Sequence, residues 1–275
     1  MLSADELAPM MAAFTVSPDV QRRQTAYRQQ VVDQWHIVEG AKLLEVGCGQ
    51  GDMTAVLANA VGANGRVTAV DLAKPTYGAP ISLGDSAKHL KHGPLGDRID
   101  FRFEFDVLQE TPDNLYDGVV LTHCLWYFES QAKIEEMLVS LGRWSNRIYI
   151  AEWDLMPILP SQIPHYLAVL IQGQIEAFKI ESEANIRTPF SCGDLTKMLK
   201  RAGWEVSTES TLDTSELDDA KWEIDFARSI LTEPLDGLPP KLIDLIRGQA
   251  ETMIELVEKE GIRPLPAYAV IAQCP

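Results

Sequence analysis

Cysteine is scarce in this 275-residue chain: Cys48, Cys124, Cys192 and Cys274 stand far apart, with no C-x-x-C pair among them. That scatter argues against a disulfide framework and fits reduced intracellular thiols. Long apolar runs are missing as well; none approaches the roughly 20 residues that span a bilayer, so no membrane partner is expected. Asp5 and Glu6 follow Met1 where a secretory leader has basic and apolar residues, which makes the cytoplasm the expected location. Basic charge is short, with 24 Lys and Arg against 40 Asp and Glu, a net charge of −16. Such a surface repels phosphate backbones, so nucleic acid is not an expected partner. The basic cluster Lys88-His89-Leu90-Lys91-His92 is short, ends at Gly93-Pro94 and reads as a solvated helix end. There is no internal repeat and no low-complexity tract.

What is present is ordinary for a globular protein: 46% apolar and 23% charged residues. The length suits one large domain, or a core domain with a smaller cap. One stretch stands out, Lys42-Leu43-Leu44-Glu45-Val46-Gly47-Cys48-Gly49-Gln50-Gly51-Asp52. A short apolar run stops at three glycines, and a helix-forming segment from Met53 to Ala60 follows at once. That is a buried strand, a tight turn and a helix, the opening of a βαβ unit. A second strand, Arg66 to Val70, ends on Asp71, where an acidic side chain can take both hydroxyls of a ribose.

The third glycine separates two cofactor classes. A dinucleotide loop reads G-x-G-x-x-G and seats pyrophosphate on the helix N-terminus. Here Asp52 occupies the slot of the last glycine, where it would repel a pyrophosphate. Glu45 adds a second carboxylate at the strand end. Carboxylates there suit a ligand carrying an ammonium and a sulfonium.

The stretch Leu44-Glu45-Val46-Gly47-Cys48-Gly49-Gln50-Gly51 resembles motif I of the class I S-adenosylmethionine-dependent methyltransferases, and Asp71 matches their ribose-binding acid. The resemblance runs through the strands holding Asp117 and Trp153, covering about residues 25–155 well. It implies a Rossmann-like α/β fold: a seven-stranded, mostly parallel sheet flanked by helices, its last strand antiparallel, with helical cap insertions. It implies S-adenosylmethionine as cofactor, contacted by Tyr27, Glu45, Gly47, Cys48, Gly49, Gln50, Gly51, Asp71, Leu72, Asp106, Val107 and His123. In this family an acid after the third strand holds the adenine amino group, and Asp106 stands there. An N-terminal helix folds over the cofactor in relatives, which puts Tyr27 and Arg28 at its methionine end.

Four regions are expected. Residues 1–40 form a helical segment over the cofactor site. Residues 41–154 are the cofactor-binding core. Residues 155–190 are a cap or lid leaving the C-terminal edge of the sheet, and 191–275 complete the sheet around a helical insertion at 212–262. Within that insertion Leu217–Leu231 and Leu242–Val257 carry helical patterns, the latter apolar at 242, 243, 246, 250, 253, 254 and 257. Ser191 and Asp194 have capping-box spacing before a helix that ends at Gly203. Either insertion is also a possible surface for a homodimer.

The chemistry-bearing residues gather where strands end. Tyr116–His123 reads as a strand covered on both faces, and His123, Trp126, Tyr127 and Phe128 leave its C-terminal edge, where open α/β sheets bind ligands. The next strand ends in Glu152, Trp153 and Asp154. The loop from Leu72 to Pro80 is stiffened by two prolines and offers Tyr77 to the same crevice. His123 is the first candidate for a general base, because histidine titrates near neutrality. Glu152 and Asp154 are the second choices, and Trp126, Tyr127 and Trp153 are candidates to meet a sulfonium or acceptor with their ring faces. Asp85, His89 and His92 share a helix face, but a metal site there lacks a further ligand, and no metal is expected.

The function these features imply is in-line methyl transfer from S-adenosylmethionine to a small-molecule substrate. The same cofactor supports an alternative without an acceptor, cyclisation to azetidine-2-carboxylate and methylthioadenosine. A third reading is a non-catalytic cofactor-binding protein.

Overall fold

The apolar run ahead of the glycines becomes β1 (Lys42–Val46), buried at every position except Lys42. Burial of successive residues, rather than alternate ones, is what a central parallel strand with both faces covered requires. The computed structural model describes residues 2–179, 182 and 184–274. Of the expected lid stretch, Ile180, Glu181 and Glu183 lie outside the described residues.

The remaining strands are β2 (Arg66–Asp71), β3 (Ile99–Phe103), β4 (Gly118–Thr122), β5 (Arg147–Trp153), β6 (Glu205–Leu212) and β7 (Ala267–Gln273). They form one seven-stranded sheet in the order β3-β2-β1-β4-β5-β7-β6. Strands β1 to β5 pair in parallel, while β7 runs antiparallel to both β5 and β6. This is the Rossmann-like sheet with a reversed last strand that the resemblance implies. β1 pairs with β2 on one side and β4 on the other, so the strand order reverses there. The crevice outside the carboxyl ends of β1 and β4 is therefore the switch point where open α/β sheets take ligands.

The helices are α1 (Ala4–Leu7), α2 (Pro18–Trp35), α3 (Asp52–Ala60), α4 (Leu83–His92), α5 (Gln131–Leu141), α6 (Ile163–Glu176), α7 (Cys192–Arg201), α8 (Asp219–Ser229) and α9 (Pro240–Glu260). Two cores flank the sheet. Leu44, Leu121, Ile148, Ile150, Trp144 and Trp204 belong to one. Leu43, Val120 and Tyr149 meet Val31 and Trp35 of α2 in the other. The alternation of Ile148 and Ile150 against Tyr149 is the strand's period of two assigning neighbours to opposite faces.

A third core belongs to the cap. Ala168 and Ile171 of α6 pack with Ile224 and Ala227 of α8 and with Ile246, Ala250 and Met253 of α9. The spacing 246, 250, 253 is one stripe of a helix, matching the expected apolar face. The helices of the two insertions thus share one core rather than standing as two separate additions.

Candidate active site

Three left-handed backbone conformations shape the loop after β1: Gly47 at φ +75°, Gly49 at +53° and Gly51 at +86°. A Cβ on Gly47 would stand 2.8 Å from the Cβ of Cys124, so the loop presses directly on the chain leaving β4. Gly49 is different, because a Cβ there would meet nothing within 4 Å. Its backbone faces open space, which is what close approach of a ligand to main chain needs.

Asp71 braces this loop from the neighbouring strand. Its Oδ2 accepts the Gly49 N–H at 2.9 Å, and Oδ1 accepts the Ala73 N–H at 2.9 Å. Each oxygen retains a further lone pair for a ligand hydroxyl. Gln50 donates from Nε2 to the Ile81 carbonyl at 2.7 Å, tying the 72–81 loop to the glycine loop. Leu72 and Tyr77 on that loop are exposed, at 71% and 47%. Asp106 accepts the Leu108 N–H at 2.9 Å, and the neighbouring Val107 is buried, its carbonyl taking the Trp144 indole N–H at 3.3 Å.

His123 lies at the end of β4 with φ +48°, a conformation that costs a non-glycine residue about 1–2 kcal/mol. Its Nδ1 is 3.1 Å from Glu152 Oε1, and its Nε2 is 2.8 Å from the Tyr27 hydroxyl. Glu152 is 1% exposed and also accepts the backbone N–H groups of Leu125, at 3.0 Å, and Trp153, at 3.1 Å. Four rings line up beside this chain of bonds: Tyr27, His123, Trp153 and His165, with successive centroids 5.5, 5.2 and 5.5 Å apart. His165 is buried and accepts the Leu265 N–H on Nδ1 at 2.8 Å. Burial holds its pKa down at about 3, so it is a neutral structural ring.

Helix α2 is tied to the start of α3 and to α8. Gln24 donates to Asp219 of α8 at 3.0 Å, Arg23 pairs with Asp218, and Gln21 donates to Asp52 at 2.9 Å. Arg28 approaches Asp52 to 3.9 Å. Burial raises the pKa of Asp219 and Glu223, the latter bonded to Gln172. Nothing in the sequence marked Asp219 or Gln24, because an acid at a helix start and a glutamine on a helix face are commonplace in solvent.

Buried Cys48 and half-buried Cys124 border the loop. Desolvation pushes Cys48 and Cys124 far above the ordinary thiol range, so both are neutral and neither supplies a thiolate nucleophile. Among the described residues, no three His, Cys, Asp or Glu side chains are grouped to hold a metal ion.

Three expectations need correction. Glu45 does not present a charge at the strand end. It is 2% exposed, accepts the Thr54 hydroxyl at 2.6 Å, and burial raises its pKa to about 8. Trp126 is not a pocket wall; it is 3% exposed, packed in the core edge-on to Phe190 at 6.4 Å. Asp154 Oδ1 accepts the Cys192 N–H at 3.1 Å, so its carboxylate caps the start of α7 instead of facing His123. The Ser191–Asp194 capping box forms on the same helix.

The Glu45 environment gives a sign for stability. Between about pH 4.5 and 8 the folded protein keeps a proton that the unfolded chain releases, so stability falls as pH rises through that window. Glu45→Gln is expected to flatten this part of the profile, read by denaturant unfolding across it. A slope equal to that of the wild type would show that Glu45 is ionised in the fold.

Residues 20–209 match the family model described as a methyltransferase domain, well over half of the chain. The chain belongs to the methyltransferase-domain family. It is a class I, S-adenosylmethionine-dependent methyltransferase by that match and by its fold. A cyclopropane-fatty-acyl-phospholipid synthase-like protein from Lactobacillus casei ATCC 334 is 35% identical to this methyltransferase, covers 98% of both chains and superposes with a TM-score of 0.88. Methyltransferase phomM' of Diaporthe leptostromiformis is 27% identical over 216 residues, 64% of this chain. The chain spans only 56% of that fungal relative's length. A Geobacter sulfurreducens S-adenosylmethionine-dependent methyltransferase solved with S-adenosyl-L-homocysteine shares the fold, at 14% identity, a TM-score of 0.52 and 90% coverage of each chain. No helix among the described residues of this methyltransferase is long and apolar enough to cross a membrane.

Proposed function

We propose that this methyltransferase transfers the sulfonium methyl group of S-adenosylmethionine in line to a small-molecule acceptor, with His123 as the general base. One observation carries the reading: His123 stands at the ligand-binding edge of the sheet with Nδ1 on the buried Glu152 carboxylate. A base whose far nitrogen is held by a carboxylate is fixed in orientation and stabilised when it gains a proton.

The chain's residues suit the cofactor. The open backbone at Gly49, flanked by Gly47, Cys48, Gln50 and Gly51, has room for the methionine portion. Asp71 has lone pairs left for the ribose hydroxyls, and exposed Leu72 can cover one face of the adenine. Asp106 and Val107 stand for the adenine edge, and Tyr27 for the methionine end, while Glu45, buried on Thr54, only supports the strand beneath the loop. When bound, the cofactor supplies an electrophilic methyl carbon. The protein's part is to align the acceptor, exclude water under α2 and the cap, and take up a proton. Alignment of this kind lowers barriers by several kcal/mol in well-ordered systems.

The net charge of −16 favours a small acceptor over nucleic acid. The name of the Lactobacillus casei relative adds a fatty-acyl chain to the acceptor classes worth offering. The curated relatives are named as methyltransferases, and no observation favours the cyclising or the non-catalytic alternative.

The test is purified protein with S-adenosylmethionine alone, then with catechol, phenethylamine, benzoate or oleate, followed by mass spectrometry of the nucleoside product. S-adenosylhomocysteine that appears only with an acceptor is the expected result. Methylthioadenosine formed from the cofactor alone would replace methyl transfer with cyclisation.

A further inference from the structure

We propose that Tyr27 is itself a catalytic residue: its phenolic oxygen receives the acceptor's proton and passes its own to His123 Nε2. Tyr27, His123 and Glu152 then form one proton path. The proposal deepens the methyl-transfer reading of this site and rests on it.

The hydrogen bonds decide the direction. Glu152 takes backbone N–H groups from Leu125 and Trp153, and backbone amides only donate. With Glu152 as a carboxylate both oxygens only accept, and the His123 nitrogen facing Oε1 then carries the proton. In a neutral imidazole the lone pair then lies on Nε2, 2.8 Å from the Tyr27 oxygen. Tyr27 donates and His123 accepts.

That geometry leaves His123 no free nitrogen for an acceptor. Both are engaged, Nδ1 by Glu152 and Nε2 by Tyr27. The Tyr27 oxygen has no second hydrogen-bond partner among the described residues and keeps lone pairs for one. A proton leaving an acceptor reaches Nε2 through this oxygen. Tyr27 is 5% exposed, and Gln24, one turn earlier on α2, is bonded to Asp219 of α8, so the helix that carries the phenol is tied in place beside His123.

The groups facing Tyr27 keep it a neutral phenol at rest. Burial raises its pKa well above the ordinary range, reinforced by Glu152 of β5 and Asp219 of α8 and opposed by Arg28 of α2. A neutral phenol between an acceptor and an imidazole relays protons without standing as a phenolate. In the step, the bond from the acceptor atom to the methyl carbon forms and the S–CH₃ electron pair stays on sulfur. The acceptor's proton goes to the Tyr27 oxygen while the phenol proton moves to Nε2. His123 ends as an imidazolium beside Glu152, and atoms and charge balance.

The experiment has two arms on the full chain. With a hydroxyl or amine acceptor that yields S-adenosylhomocysteine, and so has a proton to give up, Tyr27→Phe is expected to lower kcat about 100-fold while changing the cofactor Kd by less than about threefold. Fluorotyrosine at position 27 keeps the shape but is more acidic, and is expected to restore turnover with the pH–rate profile moved to lower pH. Near-wild-type kcat in Tyr27→Phe, or a profile unmoved by fluorination, overturns the proposal. The second arm needs no acceptor: ¹⁵N spectra of the His123 imidazole with S-adenosylhomocysteine are expected to show the proton on Nδ1 and an accepting Nε2. A proton on Nε2 overturns the relay. Absence of methyl transfer by the wild type overturns the reading beneath it, and the imidazole spectrum keeps those two failures distinct.

Discussion

Glu152→Gln is expected to lower turnover by about two to four orders of magnitude, the range general acid–base groups contribute, while cofactor affinity stays near that of the wild type. A glutamine has one carbonyl oxygen where Glu152 has two accepting atoms. With that oxygen on the Leu125 N–H, in the place of Oε2, its NH₂ takes the place of Oε1 and faces His123 Nδ1. Two donors cannot share a bond, so the imidazole moves its proton to Nε2 and loses the lone pair directed at Tyr27. Glu152→Ala removes the acceptor altogether and leaves the Leu125 and Trp153 backbone donors buried. At about 1–3 kcal/mol for each unpaired group, its melting temperature should fall as well. The comparison of kcat, cofactor Kd and melting temperature separates the two variants. Turnover within a factor of about two of the wild type in Glu152→Gln would remove Glu152 and the His123 tautomer from the mechanism.

Asp71→Ala is expected to weaken S-adenosylmethionine binding at least about tenfold, on the scale of one charged hydrogen bond. Two losses act together. The ribose hydroxyls lose a carboxylate partner, and the Gly49 and Ala73 N–H groups lose the acceptor that now fixes the loop. Asp71→Asn tells them apart, because an amide oxygen can still accept one N–H but its NH₂ clashes with the other donor. Calorimetry should place Asn between wild type and Ala. Equal Kd values for Asp71→Ala and wild type would move the ribose elsewhere.

The glycine loop and the acid that braces it were legible because their determinants are local. Three glycines directly after a short apolar run, and an acid ending the next strand, describe a loop whose partners follow from chain direction and strand pairing. The sheet was legible for the same reason, since continuous apolar runs in β1 and β4 report burial on both faces. Glu45 shows the limit. Its place at the strand end was readable, but β1 turns it inward onto Thr54, and burial keeps its proton. Trp126 and Asp154 show it again. Their position after a strand end was evident, while their neighbours, Phe190 and the start of α7, are supplied by distant chain.

The sequence by itself determined the Rossmann-like sheet, the glycine loop, the acid beside it and the family to which the chain belongs. Tertiary structure alone decided that the helices of the two insertions, α6, α8 and α9, share one core. It alone also decided that Tyr27 meets His123 across 96 residues and that Glu152 meets it across 29. The reason is physical. Periodicity and turn chemistry state which way a residue faces from its own element, because backbone geometry is local. What stands opposite depends on how separate elements pack, and the proton path exists only where α2, β4 and β5 come together.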